Sequence, residues 1–260
     1  MFVRTIEQIK QTLKDHDVNY QKIIDDFGQV AAYESRVSGK TFGLNEHIKG
    51  LIYAQLSNQR PWGPIADNLA RIDKIFNNYD SETLKKQNPK KLASDIQLIK
   101  CGNRAIAAQM RDLCSNIETF ERIIAHQGSL DAYVISKKTD VIATELSSGN
   151  KYKLKQIGFT LATEYLRNIG INAIKPDLHI CRMIGPERLG FIDKSPTPEE
   201  AYQCVMQLEQ QSSDSAVFID NLLWIFAAQY YGNICSANPK CNECGVTLCA
   251  TNPFHRISSE

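Results

Sequence analysis

Residues 235–249 read CSANPKCNECGVTLC, four of the chain's eight cysteines separated by five, two and four residues. Four thiolates so close in sequence can close around one centre, and three chemistries use such a set. Disulfides belong to oxidising compartments. The start MFVRTIEQIK lacks the long apolar core and small-residue cleavage site of a signal peptide, so the expected compartment is the reducing cytoplasm. Zinc suits four thiolates tetrahedrally, although structural zinc sites commonly pair two Cys-x-x-Cys knuckles and this segment has one. An iron-sulfur cluster, whose corners lie further apart than ligands on a single ion, accepts one wound-up segment with uneven spacing. Thiolate chemistry alone leaves the cluster and zinc both open.

The segment before it, FIDNLLWIFAAQYYG (218–232), reads as an apolar helix running directly into Cys235. The rest of the chain is also helical in pattern. Within NRAIAAQMRDLCSNIETFERIIAH (103–126), Ile106, Met110, Leu113, Ile117, Phe120 and Ile124 recur at alternating steps of four and three. Ile48, Leu51, Ile52 and Leu56 form a similar stripe, as do Ile65, Leu69, Ile72 and Phe76. In SPTPEEAYQCVMQLEQ (195–210), Thr197, Pro198 and Glu200 make a helix start with a capping box. DAYVIS (131–136) is the one candidate strand, and Gly128 to Lys155 reads as a polar, loop-rich insertion. The fold class is all-α. With 260 residues and 43% hydrophobic content the chain can bury a substantial core. No apolar run reaches membrane-spanning length, and a formal net charge of +1 gives no global pull toward nucleic acid or lipid.

Three stretches carry chemistry, each with a plainer reading beside it. LSNQRPW (56–62) stops a helix at polar residues before Pro61; Gln59 is either helix-ending chemistry or an amide placed to fill the gap of an extruded nucleotide. LKQIGFTLATEYLRNIG (154–170) turns around Gly158 into a helix, whose N-terminal amides and dipole can bind a phosphate; a bare helix-turn-helix looks the same. IKPDLHICRMIG (174–185) puts Asp177 after Pro176 at a helix start. An N-cap is the plain reading, and it is compatible with a carboxylate that keeps one oxygen free to face a developing cation. His179 and Arg182 follow on the same helix as supporting groups or as structural ones.

In this order along the chain, these stretches resemble the helix-hairpin-helix DNA glycosylases of the endonuclease III group, over roughly residues 45 to 250. GLIYAQLSNQRPW (50–62) is similar to that family's wedge helix, with Gln59 at the intercalating amide. LKQIGFTLATEYL (154–166) is similar to its hairpin, and KPDLHICRM (175–183) to its catalytic-aspartate segment. LLWIFAAQYYGNICSANPKCNECGVTLC (222–249) is similar to its cluster-binding end, with one residue fewer in the first and in the last gap.

The resemblance implies two helical lobes, 45–172 ending in the hairpin, and 1–44 plus 173–260 with the cluster, with an active-site cleft between them. It implies a 4Fe-4S cluster on Cys235, Cys241, Cys244 and Cys249, zinc being the fallback. Asp177 becomes the catalytic carboxylate. Gln59, Gln156, Gly158, Thr160 and Lys240 become DNA contacts, and Tyr53, Asn58 and Trp62 the candidate base pocket. The implied partner is double-stranded DNA, bound by a monomer with no membrane association. Two departures bear on the chemistry. Where bifunctional members carry a Schiff-base lysine this chain has Thr160, so the expected reaction is hydrolytic release of a flipped base without strand cleavage. The first hairpin glycine is Gln156. A damaged, mismatched or modified base is the expected target, with a lean toward pyrimidines, including bulky modified cytosines of phage DNA; repair and defence use the same chemistry. The alternatives are a glycosylase-lyase using another lysine and a catalytically silent DNA-binding module.

Overall fold

The longest apolar stripe becomes the longest helix, Ile106–Gln127, with Ile106, Met110, Leu113, Ile117 and Phe120 buried along one face. Its last buried position is Ile123 rather than Ile124, since both satisfy a 3.6-residue repeat. The structure, a computed structural model, describes residues 1–249. Its helices are α1 (Phe2–Asp15), α2 (Tyr20–Phe27), α3 (Gln29–Val37), α4 (Leu44–Leu56), α5 (Gly63–Ala66), α6 (Leu69–Ile75), α7 (Ser81–Lys86) and α8 (Pro89–Leu98). They continue as α9 (Ile106–Gln127), α10 (Leu130–Val134), α11 (Thr139–Ser147), α12 (Phe159–Asn168), α13 (Leu178–Ile184), α14 (Pro198–Glu209) and α15 (Ala216–Ala227). No β-strand occurs among the described residues.

Two expectations change here. DAYVIS is not a strand, and the 128–155 region is not a loop: α10 and α11 bury Leu130, Tyr133, Val134, Ile142, Ala143 and Leu146. Ser129 caps α10 by accepting from Ala132 N–H, and α11 packs against α12. Helices this short hold too few turns to make a periodic stripe.

The described chain divides into two compact units, Ala32–Ile171, and Met1–Ala31 with the described part of Asn172–Glu260. The first division therefore falls at residue 31, not near 45. The cause is Arg36 of α3, which donates to Ile169 O (2.9 and 2.7 Å) and to both carboxylate oxygens of Asp131 (3.2 and 2.5 Å). Those bonds tie the segment after Ala31 to the body that holds α4–α12.

Within the Ala32–Ile171 unit, α4 lies on α12. A Cβ on Gly50 would sit 3.0 Å from Ile169, so glycine allows the two helices to approach, and Asn168 donates to Gly50 O at 3.0 Å. Tyr165 of α12 stacks on Phe120 and meets His47 of α4 through its hydroxyl at 2.6 Å. The helix that carries Gln59 at its end and the helix that follows Gly158 are thus locked to one another.

In the other unit, α1 buries Phe2, Ile6, Ile9 and Leu13 and packs on α15, which also receives α2, α13 and α14. The capping box at Thr197 forms as expected.

Candidate active site

Asp177 is the N-cap of α13. Its Oδ1 accepts from the backbone N–H of His179 (2.8 Å) and of Ile180 (3.2 Å), and Oδ2 takes no part in the cap. The carboxylate is half-buried. The strand-like run leading to it is fixed from α15: Asp220 Oδ1 accepts from Lys175 N–H at 2.9 Å, and Asn172 Oδ1 accepts from Val217 N–H at 3.3 Å. Asp220 is 2% exposed, a charged residue within an apolar helix. Sequence reasoning passed over it, although Asp-Asn inside FIDNLLWIFAA is the signal that a buried polar partner exists.

His179 lies half-buried with its ring edge-on to Trp224, centroids 6.1 Å apart. Burial holds its pKa below the ordinary value, with Arg182 and Lys175 acting the same way and Asp177 opposing. Its Nδ1 is shielded from solvent and has no hydrogen-bond partner among the described residues. Trp224 also contacts Tyr231 (5.1 Å) and Phe27 (5.8 Å), an aromatic group beside α13 that the sequence reading did not single out. Arg182, also half-buried, makes no ion pair among the described residues.

The cysteine segment follows α15 in the same unit. Ile234 and Cys235 both donate to Phe226 O, and a single 3₁₀ turn spans Cys241–Glu243. Helix α1 pins it: Thr12 accepts from Gly245 N–H (3.1 Å), Gln8 exchanges two bonds with Thr247, and His16 meets Glu243 O at 3.0 Å. Burial pushes the Cys235 thiol up to about 12 and the Cys244 thiol up to about 11, and Cys241 and Cys249 add to both shifts. Among the described residues no three His, Cys, Asp or Glu side chains converge so as to hold a metal ion. Lys240 precedes the turn and pairs with Glu243 at 3.4 Å.

The remaining predicted site residues belong to the Ala32–Ile171 unit. Gln59 is exposed at a left-handed φ of 50°, just past α4. Next to it, Arg60 donates to the carbonyls of Lys100 and Gly102 and so anchors the turn. Asn58 closes the end of α4 by donating its N–H to Gln55 O, and Trp62 caps α5 and meets the Tyr53 ring edge-on at 6.2 Å. The Tyr53 hydroxyl is already engaged: with Tyr79 it donates to Asp73 Oδ1 (2.8 and 2.5 Å), while Lys49 holds Oδ2 at 3.2 Å. Burial raises the Asp73 carboxyl, but these donors outweigh it and hold its pKa below the usual value. Tyr53 is therefore part of a fixed polar cluster.

At the hairpin, Gln156 has φ 61°. A glutamine adopts the left-handed geometry for which glycine is the usual residue, and its side chain donates to Asp112 Oδ2 at 2.9 Å. Gly158 caps α12 in an extended conformation, and a Cβ built there meets nothing within 4 Å, so its surface is open to a ligand. Thr160 lies in the first turn of α12. No helix among the described residues is long and apolar enough to cross a membrane.

This all-helical fold is similar to that of solved DNA glycosylases. An 8-oxoguanine glycosylase/lyase from Methanocaldococcus jannaschii, solved with a 15mer DNA containing 8-oxoguanine, superposes with TM-score 0.56 at 19% identity, covering 85% of this chain and 95% of that one. A second structure of the 8-oxoguanine DNA glycosylase from that organism gives 0.54 at 18%, covering 84% and 92%. A trapped covalent intermediate of endonuclease III with DNA gives 0.53 at 16%, covering 92% of this chain and 99% of that one. No protein-family model and no curated protein sequence matches the chain.

Proposed function

We propose that the chain is a DNA glycosylase that releases a flipped base by hydrolysis. The observation that carries this is Asp177, whose Oδ1 alone serves the helix cap while Oδ2 remains for chemistry, on a segment braced by Asp220. Breaking an N-glycosidic bond builds positive charge on the sugar. A fixed carboxylate oxygen close to that charge stabilises the transition state and accepts a proton from the attacking water. The exposed Gln59, on a turn braced by Arg60, fills the space the extruded nucleotide leaves, and the open backbone at Gly158 lies against a phosphate of the same strand. The aromatic group around Trp224, beside His179, offers stacking surface for a base.

Water rather than an amine is the nucleophile in this reading, because a Thr160 hydroxyl cannot form an imine. The structural neighbours include a protein named as a glycosylase/lyase and a trapped covalent intermediate, so the absence of strand cleavage needs its own test. Borohydride reduction in the presence of substrate DNA is expected to trap no adduct; a trapped species assigns another lysine as nucleophile.

A 4Fe-4S cluster on Cys235, Cys241, Cys244 and Cys249 is supported by four closely spaced free thiols on the segment that α1 pins. When bound it supplies a structural anchor for the segment carrying Lys240, which can then reach a DNA phosphate. Anaerobically purified protein is expected to contain iron and acid-labile sulfide in equal amounts; zinc alone refutes the cluster and leaves the hydrolytic reading standing.

The function is tested by mass spectrometry of bases released from DNAs that are mismatched, deaminated, alkylated, oxidised, or rich in the modified cytosines of phage genomes. Release of one base identifies the substrate, and the lean toward modified or mismatched pyrimidines stands or falls with it. Silence across the panel with DNA still bound makes the chain a binding module.

A further inference from the structure

The run KYKLKQI, residues 151–157, leads into the open Gly158 turn and alternates in exposure. Tyr152, Leu154 and Ile157 are buried, while Lys151, Lys153 and Lys155 are exposed between them. The buried side chains anchor the run and turn the lysines outward. Its backbone is fixed as well. Asn116 of α9, fully buried, accepts from Lys155 N–H at 2.7 Å and donates to Lys155 O at 3.0 Å. One residue earlier, Leu154 N–H donates to Leu146 O of α11 at 2.8 Å.

The charges on this run are not spent inside the protein. Lys151 lies over the Tyr152 ring, 4.9 Å from its centroid, but neither Lys153 nor Lys155 pairs with a carboxylate among the described residues. Nearby carboxylates are committed: Glu145 accepts from Tyr133 and Lys137, and Asp112 accepts from Gln156 at 2.9 Å. Arg111 of α9 is 68% exposed and reaches Asp112 only at 3.5 Å. Burial raises the Asp112 carboxyl, but Gln156, Arg111 and the charge of Lys155 outweigh it and hold its pKa below the usual value, so both cations act on one carboxylate beside the turn. A solvated charge run needs no fixed backbone. Here the Asn116 clamp sets the run before any partner arrives, which lowers the ordering cost of a contact.

We propose that Arg111, Lys153 and Lys155 form a phosphate-binding surface that extends the contact made at Gly158 along the backbone of duplex DNA. The proposal rests on the DNA-binding part of the proposed function and adds contacts that neither the Gly158 backbone nor Asp177 supplies. Cations set against phosphates release condensed counterions, so this surface contributes affinity and salt dependence and no choice of base. In a chain whose formal net charge is only +1, such contacts have to be local.

Anisotropy of a labelled, undamaged duplex, titrated with the full chain at salt concentrations from about 50 to 200 mM, tests this. Each phosphate contact contributes about 0.9 to the slope of log affinity against log salt. The double variant Lys153→Gln, Lys155→Gln should therefore flatten the slope by about 1.8 and lower affinity at about 0.1 M salt by roughly tenfold or more, equally for duplexes of any sequence. Arg111→Gln should flatten it by about 0.9. Arginine at 153 and 155 should restore the wild-type slope. All three positions are exposed, so melting temperatures should not change. A slope that the double variant leaves unchanged overturns the proposal. So does an equal flattening when the same two charges are removed from the exposed Lys86 and Lys90, which would mark a diffuse effect of charge. An undamaged duplex reads binding alone: failure of the lysine variants leaves base release by Asp177 standing, and failure of base release leaves this surface standing. Wild type that binds no duplex overturns both.

Discussion

Asp177 caps α13 and is the catalytic carboxylate of the proposed function, and two substitutions separate these roles. As N-cap it accepts two backbone N–H bonds through Oδ1; as a catalyst it would act through the charge shared with Oδ2. Asparagine is as good an N-cap as aspartate, so Asp177→Asn keeps both bonds and loses only the favourable interaction of a charge with the helix N-terminus, about 0.3–1 kcal/mol. Asp177→Ala loses the bonds as well, about 0.5–2 kcal/mol for a cap. In a chain of this size each kcal/mol moves the melting temperature by roughly 2–4 °C. The asparagine variant should therefore melt within about 4 °C of the wild type, and the alanine variant up to roughly 8 °C below it. Catalysis divides differently. Both substitutions remove the negative charge that the proposed function sets against the glycosidic carbon, and loss of one such electrostatic group costs about 10²–10³ in rate. Single-turnover release of the identified base, with thermal melts on the same preparations, gives both readouts. Equal and large rate losses with unequal melting temperatures support the assignment. An asparagine variant that releases base at the wild-type rate refutes it and reduces Asp177 to a cap.

Asp131, whose side chain is 7% exposed, holds the Arg36 guanidinium and lies 3.4 Å from His47; Asp131→Ala strands a buried cation, and its expected cost of about 3–5 kcal/mol lowers the melting temperature by roughly 6–20 °C. Burial and Arg36 keep the His47 pKa below its ordinary value against the pull of Asp131, so the unfolded chain binds the extra proton first. Stability should fall as pH drops below about 6.5, more steeply in wild type than in His47→Gln; parallel slopes in denaturant titrations would contradict this. Gln156→Val forces a β-branched residue into the left-handed region and removes the bond to Asp112, for an expected loss of about 1–3 kcal/mol. Unchanged melting would show that the turn relaxes. Arg60→Ala frees the turn after α4 from the Lys100 and Gly102 carbonyls, and duplex DNA affinity should weaken with a faster dissociation rate; identical dissociation would detach Gln59 from DNA binding.

What was legible in the sequence is what local chemistry encodes. Thr197 and Asp177 announce their helices because a cap acts within three residues, and the stripe through α9 persists for six turns. Features built from distant residues were hidden. Nothing in the spacing of Arg36, His47, Asp131 and Tyr165 joins them, yet they form one buried network that moves the unit boundary to residue 31. Tyr53 reads as a base-pocket aromatic until Asp73 and Tyr79 occupy its hydroxyl. Helices α10 and α11 escaped because five and nine residues carry little periodicity, and their caps and polar faces resemble a loop.

The two departures at the hairpin act on different levels. Gln156 changes the residue but keeps the backbone: at φ 61° the turn retains the geometry that glycine would supply, and the side chain is turned aside to Asp112. Gly158 remains, with open space around it. Whatever the backbone of this turn can bind, the substitution leaves in place. Thr160 does the reverse, for it occupies an ordinary helical position where any residue fits, so the backbone gives no reason for the absence of an amine. The proposed hydrolytic reaction asks for this combination, a turn backbone left open to a phosphate and no amine at Thr160, and it depends on the Asp177 carboxylate, held by the α13 cap and by Asp220 through Lys175.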